Sequence, residues 1–162
     1  MKIKVDYGKD GLEIEIPDSM DITILKPEPI NPLDDPIGDI RKSLEKPDLG
    51  TPFSKIINAR KPGYICVVIS DSTRPVPSGT IVEAIITELK GLGVNDNEIK
   101  ILIATGLHRK TTTAEIANIL PKWVIDRFDI INHEGDKPET LEYIDKTSFG
   151  TPIYINKFYL NA

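Results

Sequence analysis

Cysteine is nearly absent from this chain of 162 residues: it occurs once, as Cys66. A lone cysteine excludes a disulfide within the chain, and its place inside the apolar run "YICVVI" gives it the part of a small buried hydrophobe. The start, "MKIKVDYGKDG", lacks the apolar block of a secretory signal, so the expected compartment is the cytoplasm. No apolar stretch approaches the ~20 residues of a membrane span. Long basic runs are missing too. Lys and Arg total 20 against 25 Asp and Glu, a net charge of −5, so neither nucleic acid nor a membrane surface is an expected partner. Histidine is scarce, at two residues, and the two lack an i, i+4 spacing, so no metal ligands are assigned. P-loop, G-x-G-x-x-G and nucleophile-elbow patterns are absent. What remains, 40% hydrophobic and 28% charged, reads as one globular domain with a real core.

Proline, by contrast, is plentiful and unevenly placed. Eight of thirteen prolines fall between Pro17 and Pro62, where they interrupt both helix and sheet. Ahead of them, "IKVDY" and "LEIEIP" alternate around "GKDG", a hairpin signal. "DITIL" is a candidate third strand. "DPIGDIRKSLEK" spaces Ile37, Ile40 and Leu44 as a helix, with Asp34 or Asp35 as N-cap and Pro36 in the first turn. "TPFSKIIN" suggests another short helix capped by Thr51. From Lys61 onward strand and helix alternate. "GYICVVI", "EIKILIAT" and "FDIINH" are strands. "SGTIVEAIITELKGLG" is a helix with Ile81, Ala84, Ile85 and Leu89 on one face. "TTAEIANIL" is a helix whose Thr112 and Glu115 have capping-box spacing, with "KWVIDRF" extending it past Pro121. The tail alternates around "SFGT" as a second hairpin. The expected fold class is α/β: a parallel-type sheet with helices on its faces and β-hairpins at the N- and C-terminal ends. Residues 1–162 form a single domain, with a proline-rich lobe over 1–60 and the alternating part over 61–162.

Parallel sheets bind ligands beyond the carboxyl ends of their strands. Three polar loops are expected at that edge. "SDSTRPVPSG" follows the first strand, "ATGLHRKTTTAE" the second, and "NHEGDKPE" the third. Helix N-termini, the hydroxyls of Ser70, Ser72 and Thr73, and the guanidinium of Arg74 or Arg109 all suit a small anion. Asp71 can accept from a ligand hydroxyl or fix an arginine. Histidine titrates near neutral pH, which fits His108 for proton transfer. Plainer readings stand beside these. Asp71 and Ser72 form an Asx-type turn, Arg74 makes a surface ion pair, and His108 bonds a backbone group. His133, Glu134 and Asp136 read better as a capped turn than as a metal cluster. What favours a site is that two loops of different chemistry fall at one edge.

"SDSTRPVP", followed some thirty residues later by "TGLHRKTTTAE", resembles the N-terminal domain of the nickel-dependent lactate racemase family. "DDPIGDIRKSLEKP" before these loops and "NHEGDKPETLEYIDKTSFGTPIYINK" after them extend the resemblance over nearly the whole chain. It implies racemisation or epimerisation of a small 2-hydroxy acid. The cofactor implied is a nickel pincer nucleotide, a nickel pyridinium bisthiocarboxylate mononucleotide, which takes a hydride from the α carbon and returns it to either face. By motif position His108 matches the catalytic histidine that removes the hydroxyl proton. Asp71, Ser72, Thr73 and Arg74 match the cofactor-binding loop, and Arg74 also faces the substrate anion. Arg109 has no assigned role.

Family members are about twice this length or more. No position here matches their cofactor-bearing lysine, nickel-binding histidine or second acid–base histidine. The expectation is therefore an N-terminal catalytic half whose partner is the C-terminal domain of the same protein, and which neither holds the cofactor firmly nor turns over alone. Two readings compete with it: a non-catalytic nucleotide- or anion-binding module, and an α/β interaction domain whose loops are only turns.

Overall fold

The computed structural model describes residues 1–8, 10–59 and 63–162. The chain divides into two compact units, Met1–Pro32 and Leu33–Ala162. The first unit holds an antiparallel hairpin of β1 (Lys2–Val5) and β2 (Leu12–Glu15). Its register pairs Ile3 with Ile14 and Val5 with Leu12, so the apolar residues of both strands share a face. Lys9 of the expected "GKDG" turn lies outside the described residues. "DITIL" is not a strand: Pro27 and Pro29 follow it closely, and among the described residues no strand pairs with it.

The second unit opens with α1 (Pro36–Glu45). Asp35, not Asp34, is its N-cap, and accepts from the Gly38 N–H at 3.0 Å. Next comes α2 (Phe53–Ala59). Thr51 does not cap it. Instead Glu45, at the end of α1, accepts from the Ser54 N–H at 2.9 Å and the Ser54 hydroxyl at 2.6 Å. The cap is a tertiary contact that joins two helices.

The core is the alternating part. β3 (Ile65–Ser70), β4 (Ile99–Ala104) and β5 (Asp129–Asn132) form a parallel sheet in the order β3-β4-β5. Between them run α3 (Ser78–Gly91), α4 (Thr113–Ile119) and α5 (Lys122–Arg127). Crossovers of one hand between sequential parallel neighbours put the intervening helices on one face, and α3 and α5 share a single core with that face. Val67 and Ile69 of β3 and Ile99, Ile101 and Ile103 of β4 pack with Val82, Ile86 and Leu89 of α3 and Val124 of α5. In α3 the fully buried stripe is Val82, Ala84, Ile86 and Leu89; Ile85 is half-buried against it, and Ile81 is displaced by Val82. Leu120 and Pro121 are extended, so α5 is a separate helix rather than a continuation of α4. Thr112 and Glu115 form the expected capping box. The expected tail hairpin is β6 (Leu141–Lys146) with β7 (Pro152–Asn156), followed by the short α6 (Lys157–Leu160). Cys66 is half-buried, and burial pushes its thiol pKa up. Among the described residues no helix is long and apolar enough to cross a membrane.

Candidate active site

Strand register brings the polar loops together. Ser70 pairs with Ala104 and Ile103 with Asn132. Asp71, Thr105 and His133 therefore leave the sheet side by side, at its carboxyl edge. In the first loop the Arg74 N–H bonds the Asp71 carbonyl at 3.2 Å, closing a tight turn. In the second, the His108 N–H bonds the Thr105 carbonyl at 2.9 Å. Gly106 sits there at φ +59°, a conformation that costs a side-chain-bearing residue most. A Cβ on Gly135 would lie 2.7 Å from the Gly106 carbonyl oxygen. The second and third loops thus touch where neither has a side chain.

Asp71 is 6% exposed and ends up between two partners. Its Oδ1 accepts from the Thr73 N–H at 3.1 Å and the Thr73 hydroxyl at 2.6 Å. Its Oδ2 lies 2.6 Å from His108 Nδ1. The Asx-type turn and the side-chain contact coexist, one on each carboxylate oxygen. The Thr73 hydroxyl and then His108 pull the Asp71 pKa from 3.8 to about 2. Asp71 is therefore ionised at neutral pH, and an ionised carboxylate only accepts. The proton between the two must sit on Nδ1, which leaves Nε2 as the nitrogen able to take another.

A cavity of about 260 Å³ is lined by Asp71, Ser72, Thr73, His108, Arg109 and Thr111. Asp71, Ser72, Thr73 and His108 were assigned to the site from sequence, and Arg109 was named there without an assigned role. Arg74, also expected, is exposed in the same turn and is not among the lining residues. Among the described residues its guanidinium makes no ion pair. Arg109 does: its two terminal nitrogens reach the Glu115 carboxylate at 2.7 and 2.9 Å. That fork, with help from the Thr112 N–H and hydroxyl, holds the Glu115 carboxyl well below the usual range. A larger cavity of about 590 Å³ along α1 contains the paired Arg41 and Glu88 but neither histidine.

The third loop is supporting structure. Glu134 binds Lys137 at 2.6 Å and Lys110 at 2.9 Å. His133 Nδ1 faces the Asn156 amide at 2.9 Å. Among the described residues no three His, Cys, Asp or Glu side chains gather to hold a metal. Sequence reasoning passed over Asn132, which bonds both backbone groups of Thr111. The "IIN" ending of β5 was its only signal.

The sequence profile of the lactate racemase N-terminal domain matches residues 7–162. The chain belongs to that family. The lactate racemase of Thermoanaerobacterium thermosaccharolyticum is 30% identical over 164 residues, covering 99% of this chain and 37% of the relative. That of Lactiplantibacillus plantarum is 30% identical over 123 residues, covering 76% of this chain and 28% of the relative. In structure, the chain matches the lactate racemase apoprotein of T. thermosaccharolyticum with a TM-score of 0.77 at 29% identity, over 100% of this chain and 37% of that one. A protein from Thermotoga maritima, at 22% identity and a TM-score of 0.56, shares the fold. The chain thus spans between 28% and 37% of the racemases it matches.

Proposed function

We propose that the chain is the N-terminal part of a racemase or epimerase of 2-hydroxy acids, with His108 as an acid–base group held by Asp71. The observation that supports this most strongly is the 2.6 Å contact between His108 Nδ1 and Asp71 Oδ2. A carboxylate behind an imidazole fixes the tautomer and steadies the charge gained when Nε2 takes a proton. Nε2 removes the proton of the substrate's 2-hydroxyl and later returns it. Arg74 is the anion clamp, because Arg109 is already committed to Glu115 and a carboxylate needs a guanidinium with free N–H groups.

The donor set fits the organic part of a nickel pincer nucleotide. Ser72, Thr73 and Thr111 line the cavity; the Ser72 hydroxyl is suited to donate to ribose or phosphate oxygens, while that of Thr73, already given to Asp71, is left to accept from a ribose hydroxyl. When bound, that group supplies the hydride acceptor for the substrate's α carbon. Its metal and its covalent tether belong to the C-terminal portion of the full protein. The cavity, at about 260 Å³, falls below the ~300 Å³ at which ordinary ligand pockets begin, as suits one wall of a shared site. The reducing cytoplasm accords with an unpaired Cys66.

The test is racemisation of a panel of 2-hydroxy acids by the cofactor-loaded full-length protein and its His108→Ala variant. Removing an acid–base group should lower kcat by about 10²–10⁴-fold. Unchanged turnover on every acid that the parent accepts would remove His108 from the mechanism, whereas phosphate binding with no turnover by the parent itself would support a non-catalytic anion-binding module.

A further inference from the structure

Each end of the loop Thr105–Thr111, which carries His108, is fastened to β5. At the near end, the Thr105 hydroxyl donates to the His133 carbonyl, and the His133 N–H donates to the Ile103 carbonyl at 2.9 Å. At the far end, Asn132 Oδ1 accepts from the Thr111 N–H at 2.8 Å, and Asn132 Nδ2 donates to the Thr111 carbonyl at 3.2 Å. Thr111 is 5% exposed, so water cannot readily replace either bond. A side-chain amide offers a donor and an acceptor on two separate atoms, spaced as in a peptide group. It copies a neighbouring strand's peptide group and fixes Thr111 against both sliding and rotation. Between these anchors, Lys110 is held toward Glu134 and Arg109 toward Glu115. The loop keeps little freedom except at Gly106, Leu107 and His108 itself.

We propose that Asn132 is the positioning residue for His108: by clamping both backbone groups of Thr111, it holds the imidazole against Asp71. The functional part of this inference rests on the acid–base reading above; the positional part does not. Asn132 lines no part of the cavity and acts only through the loop.

The test uses the 162-residue chain labelled with ¹⁵N, in three variants: Asn132→Leu, Asn132→Asp and Asp71→Asn. The readouts are the exchange of the His108 Nδ1 proton and the methyl spectrum of the core. In the parent, the Nδ1 proton should be protected by its bond to Asp71. Asn132→Leu should leave the core methyls in place while the Nδ1 proton exchanges freely and the ring nitrogens shift toward a mixture of tautomers. Asn132→Asp keeps an acceptor for the Thr111 N–H but sets a carboxylate against its carbonyl, and should fall between leucine and parent. If Asn132→Leu does not fold, Asn132→Asp decides alone. In the cofactor-loaded full-length protein, Asn132→Leu should lower kcat by about 10²-fold, with KM little changed, as expected for a misplaced reacting group. A native His108 signal in both Asn132 variants, or loss of the core in both, overturns the proposal. If Asp71→Asn leaves His108 unmoved while Asn132→Leu moves it, the acid–base pairing fails and Asn132 keeps its positioning role.

Discussion

Asp71 and His108 meet at 2.6 Å although 37 residues separate them in the chain. Parallel pairing of β3 with β4 makes the meeting possible, since it ends both strands at the same level. The two loops then need only one tight turn each. Asp71 serves both turns, closing its own through Thr73 and tethering the other through the histidine.

Replacing Asp71 by asparagine tests what the carboxylate adds. An amide can present its NH₂ to Nδ1 and so favour the tautomer with Nε2 protonated, which cannot act as a base. In the cofactor-loaded full-length protein, kcat for 2-hydroxy acid racemisation should fall by about 10²–10⁴-fold, with little change in KM. Steady-state kinetics check this, and an unchanged kcat counts against the dyad.

Acid should destabilise the fold through the same group. The Thr73 hydroxyl and His108 lower the Asp71 pKa from 3.8 to about 2. The unfolded chain therefore takes up a proton first as pH falls. The stability that Asp71 contributes is complete above its unfolded pKa and is lost progressively as pH falls from about 4 through 2. Glu115, held down mainly by Arg109, adds to the same limb. Urea midpoints measured across this range should fall with pH, and less steeply in Asp71→Asn.

Gly135 is required by contact. An added Cβ meets the Gly106 carbonyl at 2.7 Å, and that atom is backbone. Gly135→Ala should force the second and third loops apart at a cost of about 1–3 kcal/mol. Chemical denaturation gives the loss, and the His108 resonances should shift with it. A variant as stable as the parent would show that the approach is looser than described.

Thr105→Val removes one hydroxyl without changing shape. Thr105 is 2% exposed and its hydroxyl donates to the His133 carbonyl. Leaving that carbonyl without its partner should cost about 1–3 kcal/mol. Equilibrium unfolding measures it, and an effect near zero would mean the carbonyl is satisfied elsewhere.

The sequence was most legible where one strand or helix carried its own signal. "CVVI" and "KILIA" are apolar mainly because one face of β3 and β4 packs under the helices; on the other face Leu102 is buried while Val68 stays exposed. Their turns into polar loops marked the sheet edge correctly. Thr112 and Glu115 formed the capping box that their spacing announced. The failures share a cause, which is that the deciding partner is distant in sequence. Glu45 caps α2 from another helix. Val82 outranks Ile81 because the sheet, not the helix, chooses the buried stripe. "DITIL" has strand propensity but no neighbour to pair with. Asn132 looked like the polar end of a strand, since Thr111 lies 21 residues before it. The common edge of the two loops was foreseeable; the contact between Asp71 and His108 required the register.

The most direct measurement is the protonation pattern of the His108 ring in the 162-residue chain, read from its two ¹⁵N shifts at a pH where the ring is neutral. A proton on Nδ1 and a bare Nε2 is the predicted result, because Asp71 accepts from Nδ1 and leaves Nε2 to work as the base. A proton on Nε2 with Nδ1 bare would contradict it, since such a ring has nothing to donate to Asp71 and no base to offer a substrate.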